Sequence, residues 1–129
     1  MYDIFIDTHF AAAHHLRDYN GSCERPHGHN WKVRVTVRAE ELDSIGMGID
    51  FKRLKKIVKE VIDLLDHYDI NELPWFAEKN TTSEHIAEFL WLEVEKRLQD
   101  DSCRLYTITV KETDTQGLHY YGPQKRGTD

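Results

Sequence analysis

An α+β fold, with an antiparallel sheet carrying two helices on one face, is predicted by two features of the sequence. The first third and the last quarter alternate apolar and polar residues with period two, while the middle holds two stretches in which apolar residues recur at helical spacing. Strands grouped at the two ends and helices between them, in the order β-β-α-α-β-β, fit an antiparallel sheet better than alternating parallel units.

The first strand is read over Tyr2 to Ala13. Tyr2, Ile4, Ile6, Phe10 and Ala12 share one parity, interrupted by Thr8, while Asp3, Asp7 and His9 take the other. A loop containing Asp18, Asn20, Gly21 and Ser22 follows. In the second strand Trp31, Val33, Val35, Val37 and Ala39 alternate with Lys32, Arg34, Thr36 and Arg38, which leaves one face wet. The first helix starts at an Asp50 N-cap, runs through Phe51, Leu54, Ile57, Val58, Val61, Ile62 and Leu65, and ends just before Asp66. After a turn-rich stretch from Asn71 to Asn80, Thr81-Thr82-Ser83-Glu84 offers a capping box ahead of Ile86, Ala87, Phe89, Leu90, Val94 and Leu98. The third strand places Tyr106, Ile108 and Val110 on the apolar face, and Leu118 to Tyr121 forms a short fourth.

The chain has 129 residues, 40% hydrophobic and 31% charged, as expected of one domain over 1–129 with an ordinary core. No apolar run approaches the roughly 18 to 20 residues needed to cross a bilayer, and the acidic, strand-like N-terminus is unlike a signal peptide. The expectation is a soluble, cytoplasmic protein. Asp and Glu (23) outnumber Lys and Arg (17), so no overall positive field holds a nucleic-acid backbone. Cys23 and Cys103 are read as free thiols of a reducing compartment, Cys103 as a structural one.

Eight histidines are many for this length, and several crowd together early in the chain. In Cys23-Glu24-Arg25-Pro26-His27-Gly28-His29, two His at i and i+2 entering a strand share a face, on the parity of Trp31 and Val33. His14 has the parity of Phe10 and Ala12, so antiparallel pairing of the first two strands can bring it beside them. Three neutral imidazoles on one side of Zn²⁺ leave a fourth position open, as catalytic zinc sites do. The alternative is a closed structural site with Cys23 as fourth ligand. Asp66-His67 reads either as a carboxylate fixing a catalytic imidazole or as a solvated helix terminus. Glu112 falls on the apolar face at the end of the third strand and needs a partner there, either an internal Arg or a ligand with two adjacent N–H donors.

These motifs, in this order, resemble the 6-pyruvoyl-tetrahydropterin synthase family. The resemblance rests on Phe10-Ala11-Ala12-Ala13-His14-His15-Leu16, Cys23-x3-His27-Gly28-His29, Leu65-Asp66-His67 with Asn71, Asn80-Thr81-Thr82-Ser83-Glu84, and Val110-Lys111-Glu112-Thr113. It spans nearly the whole chain and implies the tunnelling fold, whose element order agrees with the reading above. It also implies zinc held by His14, His27 and His29, and Cys23 as the proton-abstracting thiolate supported by Asp66 and His67. Glu112 would anchor the 2-amino and N3 positions of a pterin, with Thr82 and Ser83 near the ring. Family subunits typically form a hexamer of two trimeric barrels with sites at subunit interfaces.

The three-residue gap between Cys23 and His27 is similar to that of the bacterial branch making 6-carboxytetrahydropterin in the queuosine pathway. The implied reaction converts 7,8-dihydroneopterin triphosphate to that product with release of acetaldehyde and triphosphate. Glu24 resembles variants in which a loop Glu supports aldolase-like cleavage to a hydroxymethylpterin, and it reads equally as a solvated loop acid. Arg17, Arg25 and His15 are candidates for the triphosphate by proximity to the motifs. A pyruvoyl-forming enzyme and a non-catalytic pterin- or metal-binding module are the remaining alternatives. The full set Cys23, Asp66, His67 and Glu112 favours an enzyme, since a binder needs neither a thiol nor an acid/base pair.

Overall fold

The computed structural model describes residues 1–18, 21, 25–99 and 101–124. Four antiparallel strands, β1 (Tyr2–His14), β2 (His27–Ala39), β3 (Arg104–Thr113) and β4 (Gln116–Tyr120), lie in the order β1-β2-β3-β4. Helices α1 (Phe51–Ile62) and α2 (Ser83–Arg97) interrupt the strand sequence, joined by turns that include 3₁₀ segments at Ile70–Glu72 and Pro74–Phe76. This is the expected α+β arrangement. Among the described residues no helix is long and apolar enough to cross a membrane.

The core follows from the periodicities. Phe10 and Ala12 of β1, Trp31 to Val37 on alternate positions of β2, and Ile108 and Val110 of β3 are buried in one cluster with Leu54, Ile57, Val58 and Val61 of α1 and Ile86, Leu90 and Val94 of α2. Phe10 and Trp31, partners across the β1–β2 ladder, stack with centroids 5.8 Å apart. The Asp50 carboxylate accepts from the Lys52 amide at 2.8 Å and caps α1 as expected.

Four expectations shift. β2 begins at His27, four residues before Trp31, so His27-Gly28-His29 is itself strand and pairs with β1. α1 ends at Ile62 and tightens through i→i+3 bonds from Leu64 and Leu65, which still carry Leu65 into the core. The N-cap of α2 is Thr82, one residue after the anticipated box, and its hydroxyl accepts from the His85 amide at 3.1 Å. Tyr106 is on the uncovered face: a register shift between Thr36 and Val37 puts Leu105 opposite Val37, and Tyr106 stacks instead beneath the Arg38 guanidinium at 3.4 Å. A bulge reverses side-chain parity beyond it, which alternation alone does not reveal.

Candidate metal centre and its surroundings

The β1–β2 register pairs His14 with His27 and Ala12 with His29, so strict alternation delivers three imidazoles to the helix-covered face at one end of the sheet. Their ring centroids lie 4.5 Å (His14–His27), 4.7 Å (His27–His29) and 5.2 Å (His14–His29) apart. Trp31 floors the cluster, with its ring 4.9 Å from His14 and 5.3 Å from His29.

Backbone carbonyls fix two of the rings. His14 Nδ1 donates to the Thr81 carbonyl at 2.8 Å, and His27 Nδ1 donates to the Arg25 carbonyl at 2.8 Å. A carbonyl can only accept, so each Nδ1 carries the proton and each Nε2 keeps its lone pair, the tautomer a metal ligand needs. The Nε2 atoms of His14 and His29 are buried without a hydrogen bond. One potential ligand atom from each of His14, His27, His29 and Glu112 lies within 4.8 Å of the others. Orphaned imidazole nitrogens converging beside a carboxylate are the donor set that suits a zinc-like cation. Burial holds the His14 and His29 pKa values below the usual imidazole range, the carboxylate of Glu112 only partly opposing it, so both rings favour the neutral form.

Glu112 reaches this cluster on the parity of Ile108 and Val110, and it sits at a second bulge. Lys111 pairs with Gly117 but Thr113 pairs with Gln116, so Glu112 is the extra residue on β3. Its Oε1 stands 2.7 Å from His29 Nε2 and 3.5 Å from His14 Nε2, in neither case aligned as a hydrogen bond. The internal Arg partner considered from the sequence is not what Glu112 meets.

Distant loops position His14 and the chain just beyond it. The Asn71 carboxamide accepts from the His15 amide at 2.9 Å and donates to the His15 carbonyl at 3.1 Å, while Asn80 does the same to Arg17 at 2.7 and 2.9 Å. Thr81, fully buried, donates its hydroxyl to the His15 carbonyl at 3.1 Å and offers its own carbonyl to His14. Sequence reasoning quoted Asn71 and Asn80 only as motif residues and gave them no role. Asparagines at both ends of a turn-rich stretch are a signal for backbone bracketing.

Asp66 and His67 are joined to the outer edge of β1. Asp66 Oδ1 accepts from the Ala11 amide at 2.9 Å, His67 donates its amide to the Ala11 carbonyl at 2.6 Å, and Asp66 Oδ2 is 3.0 Å from His67 Nδ1. His67 takes a left-handed conformation (φ 65°) and its side chain is 81% exposed. The amide of Ala11 above all, with His67, holds the Asp66 pKa below the carboxylate range. The dyad is therefore formed but lies outside the His cluster. His67 shares with Gly28 and His29 an open groove of about 440 Å³.

Of the remaining candidates, Cys23 and Glu24 lie outside the described residues. Thr82 and Ser83 open α2, with the Thr82 hydroxyl occupied as its cap. The Arg17 guanidinium donates to the Phe76 and Ala77 carbonyls at 2.9 and 3.0 Å, so it clamps a turn. Arg25 is exposed beside the strand start. Cys103 is a buried free thiol whose pKa burial pushes up, in keeping with a structural role.

A family profile described as 6-pyruvoyl tetrahydropterin synthase matches residues 3–123. A 6-pyruvoyl tetrahydrobiopterin synthase of Poecilia reticulata is 35% identical over 88% of this chain and 85% of its own length. A 6-carboxy-5,6,7,8-tetrahydropterin synthase of Synechocystis is 32% identical over 96% of both. The solved structure of Caenorhabditis elegans 6-pyruvoyl tetrahydropterin synthase superimposes with a TM-score of 0.86 at 27% identity, over 95% of this chain and 96% of that one.

Proposed function

Because the chain belongs to the 6-pyruvoyl tetrahydropterin synthase family, and so is a pterin synthase of the tunnelling fold, we propose that it is the zinc-dependent enzyme that turns 7,8-dihydroneopterin triphosphate and water into 6-carboxytetrahydropterin, acetaldehyde and triphosphate. The observation that carries the zinc is the convergence of three imidazoles, two of them locked with Nδ1 protonated and two with buried Nε2 atoms lacking a hydrogen bond. Bound by His14, His27 and His29, zinc would supply Lewis acidity toward the hydroxyls of the substrate side chain.

The chain's own residues supply the rest. Cys23, four residues before His27, takes the carbon-bound proton as thiolate. Asp66 fixes the His67 ring so that the imidazole can accept and return that proton. His67 lies on the turn after α1, against the outer edge of β1, with its side chain 81% exposed. The complete site is therefore read as forming between copies, in a hexamer of two trimers, where one copy's dyad faces another's histidines. Glu112 offers a carboxylate to the 2-amino and N3 edge of the pterin, and the start of α2 at Thr82 and Ser83 lies near the ring.

Carboxypterin is preferred to pyruvoylpterin because of the short Cys23 to His27 gap, while relatives named for either product match the chain to similar degrees. Incubating the purified protein with dihydroneopterin triphosphate and identifying products by mass separates the readings. Acetaldehyde with a carboxypterin supports the proposal. A pyruvoyl pterin, a hydroxymethylpterin, or no turnover replaces it by the corresponding alternative.

A further inference from the structure

The pterin-anchoring role read for Glu112 requires its carboxylate to be free to meet the ring, but that carboxylate lies among the imidazoles. Its ligand oxygen belongs to the same 4.8 Å group as the nitrogens of His14, His27 and His29. The position is built into the fold. Glu112 is the bulged residue of β3, and Lys111 and Thr113 on either side are pinned to Gly117 and Gln116 of β4. Gly117 is required for that closeness, since a Cβ there would collide with the Val110 carbonyl oxygen. Among the described residues the carboxylate pairs with no lysine or arginine, and the nearby strand cations Lys32 and Arg34 are engaged with Asp114 and Asp7. A partly buried carboxylate set among imidazoles is stabilised by a shared cation, and less by neutral rings.

We propose that Glu112 is a fourth protein ligand of the metal in the substrate-free protein, closing the position that the three histidines leave open, and that substrate displaces it. This rests on the reading that His14, His27 and His29 hold a metal. The exchange breaks one metal–carboxylate contact and replaces it with a substrate hydroxyl oxygen, with no change in oxidation state. The released carboxylate is then free for the ring N–H donors. A self-closed metal would be protected from adventitious anions and thiols when no pterin is present, and opening would be tied to arrival of a ligand that offers both hydroxyls and ring donors.

The test is metal binding by the purified full chain. Zn²⁺ affinity is measured by competition with a chromophoric chelator, and Co²⁺ is used as a spectroscopic stand-in, for the wild type, Glu112→Gln and His27→Ala. Glu112→Gln should bind Zn²⁺ about 10- to 100-fold more weakly, the loss known for disturbed zinc surroundings, and should give a changed Co²⁺ d–d spectrum. Neopterin, whose side chain carries the hydroxyls, should shift the spectrum of the wild type and leave Glu112→Gln less altered. Equal Zn²⁺ affinity and identical Co²⁺ spectra for the wild type and Glu112→Gln overturn the proposal while leaving the three-histidine site intact. Failure of the wild type to bind metal, or undiminished binding by His27→Ala, removes the metal reading and this proposal with it. Should Glu112→Gln not fold, zinc K-edge absorption of the wild type decides: a carboxylate oxygen lost on adding neopterin supports the exchange, and a shell of imidazoles and water alone overturns it.

Discussion

Asn71 holds His15 by both backbone groups, accepting from its amide at 2.9 Å and donating to its carbonyl at 3.1 Å, although the two residues are 56 positions apart. The bond pair mimics a strand ladder and continues β1 beyond its last residue, His14. Thr81 joins the same knot, with its hydroxyl 3.2 Å from Asn71 Oδ1 and its carbonyl on the His14 ring.

Asn71→Ala should therefore do two things. It leaves the part-buried His15 amide unpaired, which costs about 1 to 3 kcal/mol of stability in chemical denaturation, while Thr81 still donates to the His15 carbonyl. It also loosens the Thr81 carbonyl that sets the His14 tautomer, so zinc affinity should fall even though Asn71 is no ligand. Unchanged zinc affinity in a destabilised variant would confine Asn71 to a structural role.

Replacing a single histidine separates an open from a closed centre. His27→Ala or His29→Ala should abolish stoichiometric zinc in elemental analysis, whereas Cys23→Ala should retain it and lose turnover. Loss of zinc from Cys23→Ala as complete as from the histidine variants would make Cys23 a ligand and end its assignment as base.

Acid should weaken the metal-free fold in two stages. Burial lowers the His14 and His29 pKa values from 6.5, so as pH falls through that value the unfolded chain takes up protons before the folded one, and stability declines. Asp66, held below its ordinary value of 3.8 mainly by the Ala11 amide, contributes stability that is present above 3.8 and lost as the pH drops further through its folded pKa. Thermal melts of metal-free protein from pH 8 down to pH 3 should show a melting temperature level at the alkaline end and falling in acid, and a midpoint that rises between pH 7 and 5 would contradict the burial of these imidazoles.

Thr82→Ala tests what the first residue before α2 does. Its hydroxyl caps the helix at the His85 amide, so loss should cost about 1 kcal/mol by denaturant titration. Thr82→Ser keeps the cap and should restore stability. If pterin affinity falls in Thr82→Ala and returns in Thr82→Ser in step with stability, the hydroxyl acts through the helix start and not by a separate contact with the ring.

The fold was legible where it depends on local periodicity. Alternation in Tyr2 to Ala13 and Trp31 to Ala39 identified the long hairpin, and helical spacing after Asp50 and before Leu98 identified both helices. The shared parity of His27 and His29, together with that of His14, also located the histidine cluster. Alternation misplaced Tyr106, because the shift at Thr36/Val37 inserts a residue that no propensity marks. Asp66-His67 was legible as a dyad, whereas its position on the outer edge of β1 was not, since that depends on where the chain after α1 meets Ala11.

The sequence by itself determined which side chains share a face, because a strand's pleat turns residue parity into direction and a helix's pitch turns spacing into a stripe. Hence it specified the sheet, the two covering helices and three histidines aimed to one side. Tertiary structure alone decided what meets those histidines. The Thr81 carbonyl comes from 67 residues away to fix His14, the Asn71 and Asn80 brackets extend the end of β1, and the pairing of β3 with β2 sets the Glu112 carboxylate 2.7 Å from His29. Such meetings are set by ladder register, bulges and packing between elements distant in the chain, and these depend on the closed three-dimensional arrangement and not on any local run of residues.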